Sequence, residues 1–305
     1  MAAAQSKSLS ALPTLELKHI LVTTDFSECS HAALKQAAAI GRLHGSDLLV
    51  LHVVPPEPMM QHALEPAVWE YQDIVRQAQS EMNAPGTLET LGGLPFELLV
   101  QTGDLQTILS SLIKEREISM LVLGTHGRTG FKKFLLGSVA EEILRTADCP
   151  VMTIGPSESP ALLTHGRFQS VLFATDFSAG SLLALRYAVA FVRESHAKLT
   201  LMHSIEQGSV TALYLHDRLM ADARKHLEQL VPANLEIPFA PEIEAVPGYA
   251  VEEILRLAEK KQADLIVLGV HKSSMLGART SAHMPWTIAQ TVAAHAKCPV
   301  LTVRG

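Results

Sequence analysis

The chain has 305 residues, 48% of them hydrophobic and 18% charged, with 25 basic against 31 acidic side chains and a formal net charge of −6. That length holds two domains of ordinary size, and the composition is that of a globular chain rather than a disordered one. The negative balance, with no basic stripe, argues against nucleic acid as a partner, and no apolar run reaches the roughly 20 residues that cross a bilayer.

In chain order, Met1-Ala-Ala-Ala-Gln-Ser-Lys-Ser8 lacks the charged-then-apolar order of a signal peptide. Residues 1–16 therefore read as a loose tail, and the chain as cytoplasmic. His19–Thr24 is a short apolar strand that runs into Asp25. Ser27 stands where it can cap the next helix, along which Leu34, Ala37, Ala38 and Gly41 share a face. Asp47–Val54 reads as a second strand, closed by Pro55 and Pro56. A helix follows with Val68, Tyr71, Val75, Ala78 and Met82 on one side. Phe96–Val100 is a third strand, and Leu105, Leu109, Leu112 and Ile113 mark a third helix. Met120–Leu123 is a fourth, buried strand. A glycine-rich stretch leads from it to a fourth helix carrying Val139, Ala140, Ile143, Leu144 and Ala147, and Val151–Ile154 is a fifth strand.

The pattern then returns. Thr24-Asp25-Phe26-Ser27 recurs as Thr175-Asp176-Phe177-Ser178, Leu51-His52 as Met202-His203, and Cys149-Pro150-Val151 as Cys298-Pro299-Val300. Leu121-Val-Leu-Gly-Thr-His126 recurs as Ile266-Val-Leu-Gly-Val-His271. This is a tandem duplication rather than a solenoid. Strands are expected near 169–174, 198–203, 242–246, 264–269 and 299–303, with Leu185, Ala188, Val189 and Val192 keeping the register of the first helix. The run from Gly155 to Pro160 is linker punctuation, which sets domains at 17–155 and 168–305 around a linker at 156–167. Strands alternating with amphipathic helices imply right-handed crossovers and a parallel sheet with helices on both faces. The class is α/β, two tandem open sandwiches. In such sheets ligands bind beyond the carboxyl ends of the strands.

The glycine-rich stretch carries Gly124, Gly127 and the pair Gly137-Ser138 ahead of Val139. Glycines let backbone N–H groups approach an anion closely, and a helix N-terminus adds unpaired N–H groups and a positive dipole end. The spacing fits neither Gly-x-x-x-x-Gly-Lys-Ser/Thr nor Gly-x-Gly-x-x-Gly. It resembles, residue for residue, the ATP-binding motif of the universal stress protein family, and the likeness extends over nearly the whole chain, twice. The resemblance implies a strand order of 3-2-1-4-5 in each five-stranded sheet. It places the adenine on Asp25 and the backbone of Val53, and the ribose at Gly124. The phosphates fall to Gly127, Gly137, Ser138 and Val139, and Arg128 can add charge to them. The implied ligand is ATP, with or without Mg2+, for which Asp25 and Asp104 are candidate contacts. The resemblance also implies pairing through the fifth strands, as a homodimer or as an intrachain pseudo-dimer of the two domains, together with an unidentified protein partner.

Each of these residues also has a plainer reading. Ser138-Val-Ala-Glu141 is a capping box, and Asp25 can satisfy backbone N–H groups at a strand end. His52 and His126, without Cys or Glu at ligand spacing, read as packing or hydrogen-bonding residues rather than metal ligands. Lys132 and Lys133 read as solvated. Cys29 reads as a quiet thiol, and Cys149 and Cys298 as buried; the three make neither a disulfide framework nor a zinc site.

The second copy departs from the motif. Lys272 stands in place of Gly127, Trp286-Thr287 in place of Gly137-Ser138, and the interval between the outer positions is longer. Thr287-Ile-Ala-Gln290 is still a capping box, so a helix is expected without the anion site. Asp176 is kept, while Ser204 replaces Val53. One nucleotide site per chain is therefore expected, in the first domain. The leading function is an ATP-binding regulatory protein; the alternatives are a slow ATPase or nucleotide hydrolase and a nucleotide-free dimeric scaffold. Against hydrolysis stands the lack of a carboxylate cluster for metal-assisted attack.

Overall fold

The computed structural model describes residues 16–56, 66–127, 136–156, 166–206, 213–231, 237–270 and 285–305. Residues 16–156 belong to one compact unit and residues 167–305 to another.

In the first unit the strands are β1 (His19–Thr23), β2 (Asp47–Val54), β3 (Phe96–Thr102), β4 (Met120–Gly124) and β5 (Val151–Ile154). They are joined by helices α1 (Glu28–His44), α2 (Pro66–Met82), α3 (Pro85–Leu91), α4 (Leu105–Glu115) and α5 (Ser138–Thr146). All pairings are parallel, in the order β3-β2-β1-β4-β5. Ile20, Leu21 and Val22 of β1 are wholly buried although neighbouring side chains point to opposite faces, so both faces of the sheet are covered. On one side α1 packs on β1, β4 and β5 and meets α3; α4 packs on α5, which lies on β5.

Ser27 caps α1, accepting from the Ser30 N–H at 3.2 Å, and Gly45 ends it with φ 67°. The expected inner face of α1 is buried at Leu34, Ala37, Ala38 and Gly41. Ala78 and Met82 of α2 are buried and Tyr71 and Val75 half-buried, as their spacing requires; the Val68 side chain lies outside the described residues.

The helix α3 has no counterpart in the sequence reading. Pro85, Gly86, Gly92 and Gly93 surround it and carry a turn signal, yet proline is at home in a first helical turn. Burial of Thr87 and Leu91 holds this short helix in place. The third helix expected from Leu105 to Ile113 is therefore the fourth in the chain.

The second unit repeats the plan. Its strands are β6 (Ser170–Ala174), β7 (Lys198–Ile205), β8 (Glu242–Pro247), β9 (Leu265–Val270) and β10 (Val300–Arg304), in the parallel order β8-β7-β6-β9-β10. The helices are α6 (Ala179–Ser195), α7 (Leu213–Leu230), α8 (Ala250–Lys260) and α9 (Pro285–His295). Asp264 clasps the start of β6, accepting from the N–H groups of Gln169 at 2.6 Å and Ser170 at 2.9 Å. In the first unit Ser119 has that place, accepting from Lys18 and His19. Among the described residues, no helix is long and apolar enough to cross a membrane.

Candidate functional site

The turn after β1 is fixed by its own side chains. Phe26 sits at φ 63°, and its N–H donates to Thr24 Oγ1 at 3.0 Å. His52 on β2 donates from Nδ1 to the Thr24 carbonyl at 2.7 Å, and its ring lies 4.5 Å from the Phe26 ring. The N–H of Ser27 then donates to Asp25 Oδ1 at 3.0 Å. This turn holds the Asp25 carboxylate against the loop that follows β4: a Cβ added to Gly127 would lie 2.7 Å from Asp25 Oδ2. The histidine is thus a brace for the turn.

Val53 acquires its position from the register. Thr24 N–H donates to the Leu51 carbonyl at 2.9 Å, the last bond between β1 and β2. Two residues further on, Val53 turns its N–H and carbonyl to the same side, past the end of β1. Val54 faces the other way and accepts from Gly103 at 3.0 Å.

Gly124 closes β4 against the start of α1. A Cβ there would lie 2.8 Å from the backbone carbon and Cβ of Cys29 and 2.9 Å from the Ser30 nitrogen. Helix packing alone thus requires glycine at this position, whatever the crevice holds. Thr125, buried and not among the site residues expected from the sequence, accepts the Gly137 N–H on its carbonyl at 2.8 Å. The Gly137 amide is therefore already engaged, and this residue offers close approach rather than a donor.

Gly137, not Ser138, is the N-cap of α5, with no side-chain cap bond. The capping-box reading of Ser138 fails for this reason: the helix starts one residue early for it, and Ser138 occupies the first turn. The helical ladder begins with the Glu141 N–H donating to the Gly137 carbonyl at 2.9 Å. That leaves the N–H groups of Ser138, Val139 and Ala140 without intrahelical acceptors. The Ala140 amide was read from the sequence only as a core position.

The ends of β1, β2 and β4, the Gly103-Asp104 turn and the N-terminus of α5 enclose a crevice of about 560 Å3. Asp25, Val53, Gly124, Gly127, Gly137, Ser138 and Val139 all line it. Arg128, Lys132 and Lys133 lie outside the described residues. Asp104 also lines the crevice, but its Oδ1 accepts from the N–H and hydroxyl of Thr107 at 2.8 and 2.7 Å, which holds its carboxyl below the usual range. His126 donates or accepts at Thr125 Oγ1 at 2.8 Å. Among the described residues no three His, Cys, Asp or Glu side chains gather where they could hold a metal ion. Cys29, Cys149 and Cys298 are buried and unbridged, and burial pushes the Cys149 and Cys298 thiols up to about 12.

The second unit reproduces the turn but not the crevice. Phe177 has φ 61°, the Ser178 N–H donates to Asp176 Oδ1 at 3.0 Å, and His203 Nδ1 donates to the Thr175 carbonyl at 2.7 Å. The corresponding crevice encloses only about 160 Å3. The helix α9 begins at Pro285, so Thr287 lies inside its first turn rather than capping it. Lys272 and the Trp286 side chain lie outside the described residues.

A parallel sheet with its order reversing between β1 and β4, and a crevice at that reversal, defines a doubly wound α/β sandwich. Comparison with known proteins narrows the class. The model of the universal stress protein family matches residues 16–155 and again 167–304. A universal stress protein of Mycolicibacterium smegmatis is 26% identical over 310 residues, covering 93% of this chain and 96% of its own. A shorter one from Methanocaldococcus jannaschii is 26% identical over 153 residues, which is 45% of this chain and 94% of that protein. The crystal structure of a universal stress protein from Archaeoglobus fulgidus has the same fold, with a TM-score of 0.63 at 22% identity, covering 95% of this chain and 99% of its own. The chain belongs to the universal stress protein family and carries its domain twice.

Proposed function

We propose that the first domain binds an adenine nucleotide, ATP, and that occupancy of this one site biases the conformation or partner binding of a regulatory protein in the cytoplasm. The observation that carries the reading is the crevice of about 560 Å3, where a carboxylate and a free strand end face a helix N-terminus. Asp25 accepts from the adenine amino group and the Val53 backbone reads the base edge. Gly124 and Gly127 let the ribose and phosphates come close. The Ser138, Val139 and Ala140 amides, the Ser138 hydroxyl and the positive end of α5 take the phosphate oxygens, and Arg128 supplements them. Among the described residues no side chains gather into a metal site, so any Mg2+ in this reading would arrive bound to the phosphates. A ligand shifts a state only through its differential affinity for the two forms, so the biological effect scales with how far ATP favours one of them. Self-association of the chain belongs to the same reading, and a mass measurement with and without ATP checks it.

Equilibrium titration of the full chain with ATP tests the site. One nucleotide per chain is expected, and none in Gly137→Trp, which places the residue of the second copy at the mouth of the first crevice. Two per chain would show that the second domain is competent. No binding to the folded wild-type chain would leave the scaffold reading.

A further inference from the structure

Ser27 does more than cap α1. Its N–H donates to Asp25 Oδ1 and its Oγ accepts from the Ser30 N–H, as the turn and the cap require. The hydroxyl proton goes elsewhere, to the His126 carbonyl on the loop after β4, at 3.2 Å and 99 residues away in sequence. Capping alone does not call for that bond. Ser178 caps α6 in the same way, accepting from the Ser181 N–H at 3.2 Å, and gives its proton to Ser181 Oγ at 3.3 Å.

The bond to His126 fixes the plane of the next peptide. That peptide is trans, so its C=O and N–H point in opposite directions. With the His126 carbonyl held on Ser27, the Gly127 N–H points away from Ser27. It makes no hydrogen bond among the described residues. Its nitrogen lies 4.0 Å from the place that a Cβ on Gly137 would take, beside the N-terminus of α5, and both glycines line the crevice. Glycine at 127 leaves the peptide free to turn over, because either sign of φ is open to it. Turned over, it would present a carbonyl oxygen where the N–H now stands, and a carbonyl has nothing to donate to a phosphate.

We infer that Ser27 is a positioning residue for phosphate binding: its hydroxyl holds the His126–Gly127 peptide with the N–H turned toward the bound anion. Ser27 is buried at 9% exposure and is not part of the described lining of the crevice, so it acts through Gly127 rather than on the ligand. This rests on reading the first domain as a nucleotide site. One serine then joins the carboxylate offered to the base and the amide offered to the phosphates, and the two halves of the site are set together.

The test is Ser27→Gly in the full chain, since glycine caps a helix nearly as well as serine and keeps the N–H to Asp25 but carries no hydroxyl. Equilibrium titration should show ATP weakened roughly tenfold or more, and adenosine, which has no phosphate, changed by less than about twofold. Ser178→Gly, the same change at the matching cap of the second domain, should leave ATP binding as in wild type. Equal weakening of ATP and adenosine, no change in either, or an equal effect from Ser178→Gly would each overturn the inference. A second measurement needs no ligand. The residual dipolar coupling of the Gly127 N–H reports the direction of that bond; in wild type it should match the direction in this structure, and in Ser27→Gly it should shift. A wild-type value that disagrees, or one that the substitution leaves unmoved, overturns the inference whatever the titrations give. Should Ser27→Gly fail to fold, as thermal melting would show, the wild-type coupling decides. Wild-type chain that binds no ATP would remove the nucleotide reading, and the coupling would still decide whether Ser27 sets this peptide.

Discussion

Gly124 ends β4 and Gly269 is the last residue but one of β9, and each is pressed against the start of the helix that follows the first strand of its domain. A Cβ at Gly269 would lie 2.3 Å from the Ser181 Cα and 2.4 Å from its nitrogen, tighter than the 2.8 Å at Gly124. The obstructing atoms are backbone, which cannot swing aside. Gly124→Ala and Gly269→Ala should each cost about 1–3 kcal/mol of stability, the second more than the first, as read by urea unfolding. A nucleotide role alone would predict a silent Gly269→Ala. The sequence shows the glycine at both positions and suggests a ligand contact; it does not show the helix lying across them. Ser138 illustrates the opposite error. Its capping-box neighbours are present, but the cap falls on Gly137, whose N–H is drawn to the Thr125 carbonyl. That pull comes from Thr125, twelve positions back and just past the end of β4, which local spacing does not encode.

At the scale of elements, periodicity and the duplication located the ten strands of the described residues and most of the helices, because the central strands are continuous apolar runs and the repeat carried over weaker ones such as β8, Glu-Ile-Glu-Ala-Val-Pro. It missed α3, where glycine and proline at the ends outweigh a short interior. Charge placement was less legible still. In the second domain Lys261, at the end of α8, reaches both Glu242 and Glu244 of β8 at 2.6 Å. Its hydrogen bond, followed by its charge, holds the Glu242 carboxyl below 4.5, and the same bonds raise Lys261 above 10.5. The sign follows for each partner. The Glu242 contribution is present above about pH 4.5 and disappears as pH falls through its lower folded value. The Lys261 contribution is present below about 10.5 and disappears as pH rises through its higher folded value. Because Glu242 is half exposed, Lys261→Met should cost no more than about 1 kcal/mol at neutral pH. Carbon-detected NMR titration should then find the Glu242 carboxyl moved back up toward 4.5; an unmoved carboxyl would mean that the triad is not formed in solution.

The molecule as a whole is one domain plan used twice, and the copies differ where the fourth helix begins. In the first, three amides at the start of α5 have no intrahelical acceptor; in the second, α9 opens on a proline. Hydrogen exchange with and without ATP reads this difference directly. Saturating ATP should slow exchange at Ser138, Val139 and Ala140 and leave 287–289 unchanged, because a bound ligand stabilises only the form it contacts. Equal protection in both helices would contradict the assignment of one nucleotide site to the first domain. The sequence carries the duplication and the loss of glycine at the second loop. It does not carry the smaller volume of the second crevice, whose described lining draws Glu206, Ile254 and Ile288 from separate parts of the chain.

The duplication also bears on how the chain reaches its native state. The strands β4 and β9 share the run Val-Leu-Gly, and β1 and β6 are short apolar strands of equal length with the same parallel neighbours. During folding each central strand therefore meets, in its own chain, a decoy of nearly the right pattern and register. Misassembly between similar domains is a kinetic hazard of such repeats. Refolding from denaturant should show a slow phase that deepens in the full chain relative to its unfolding rate. Synthesis from the N-terminus avoids the problem, since the first domain can close before the second copy of its strands has left the ribosome.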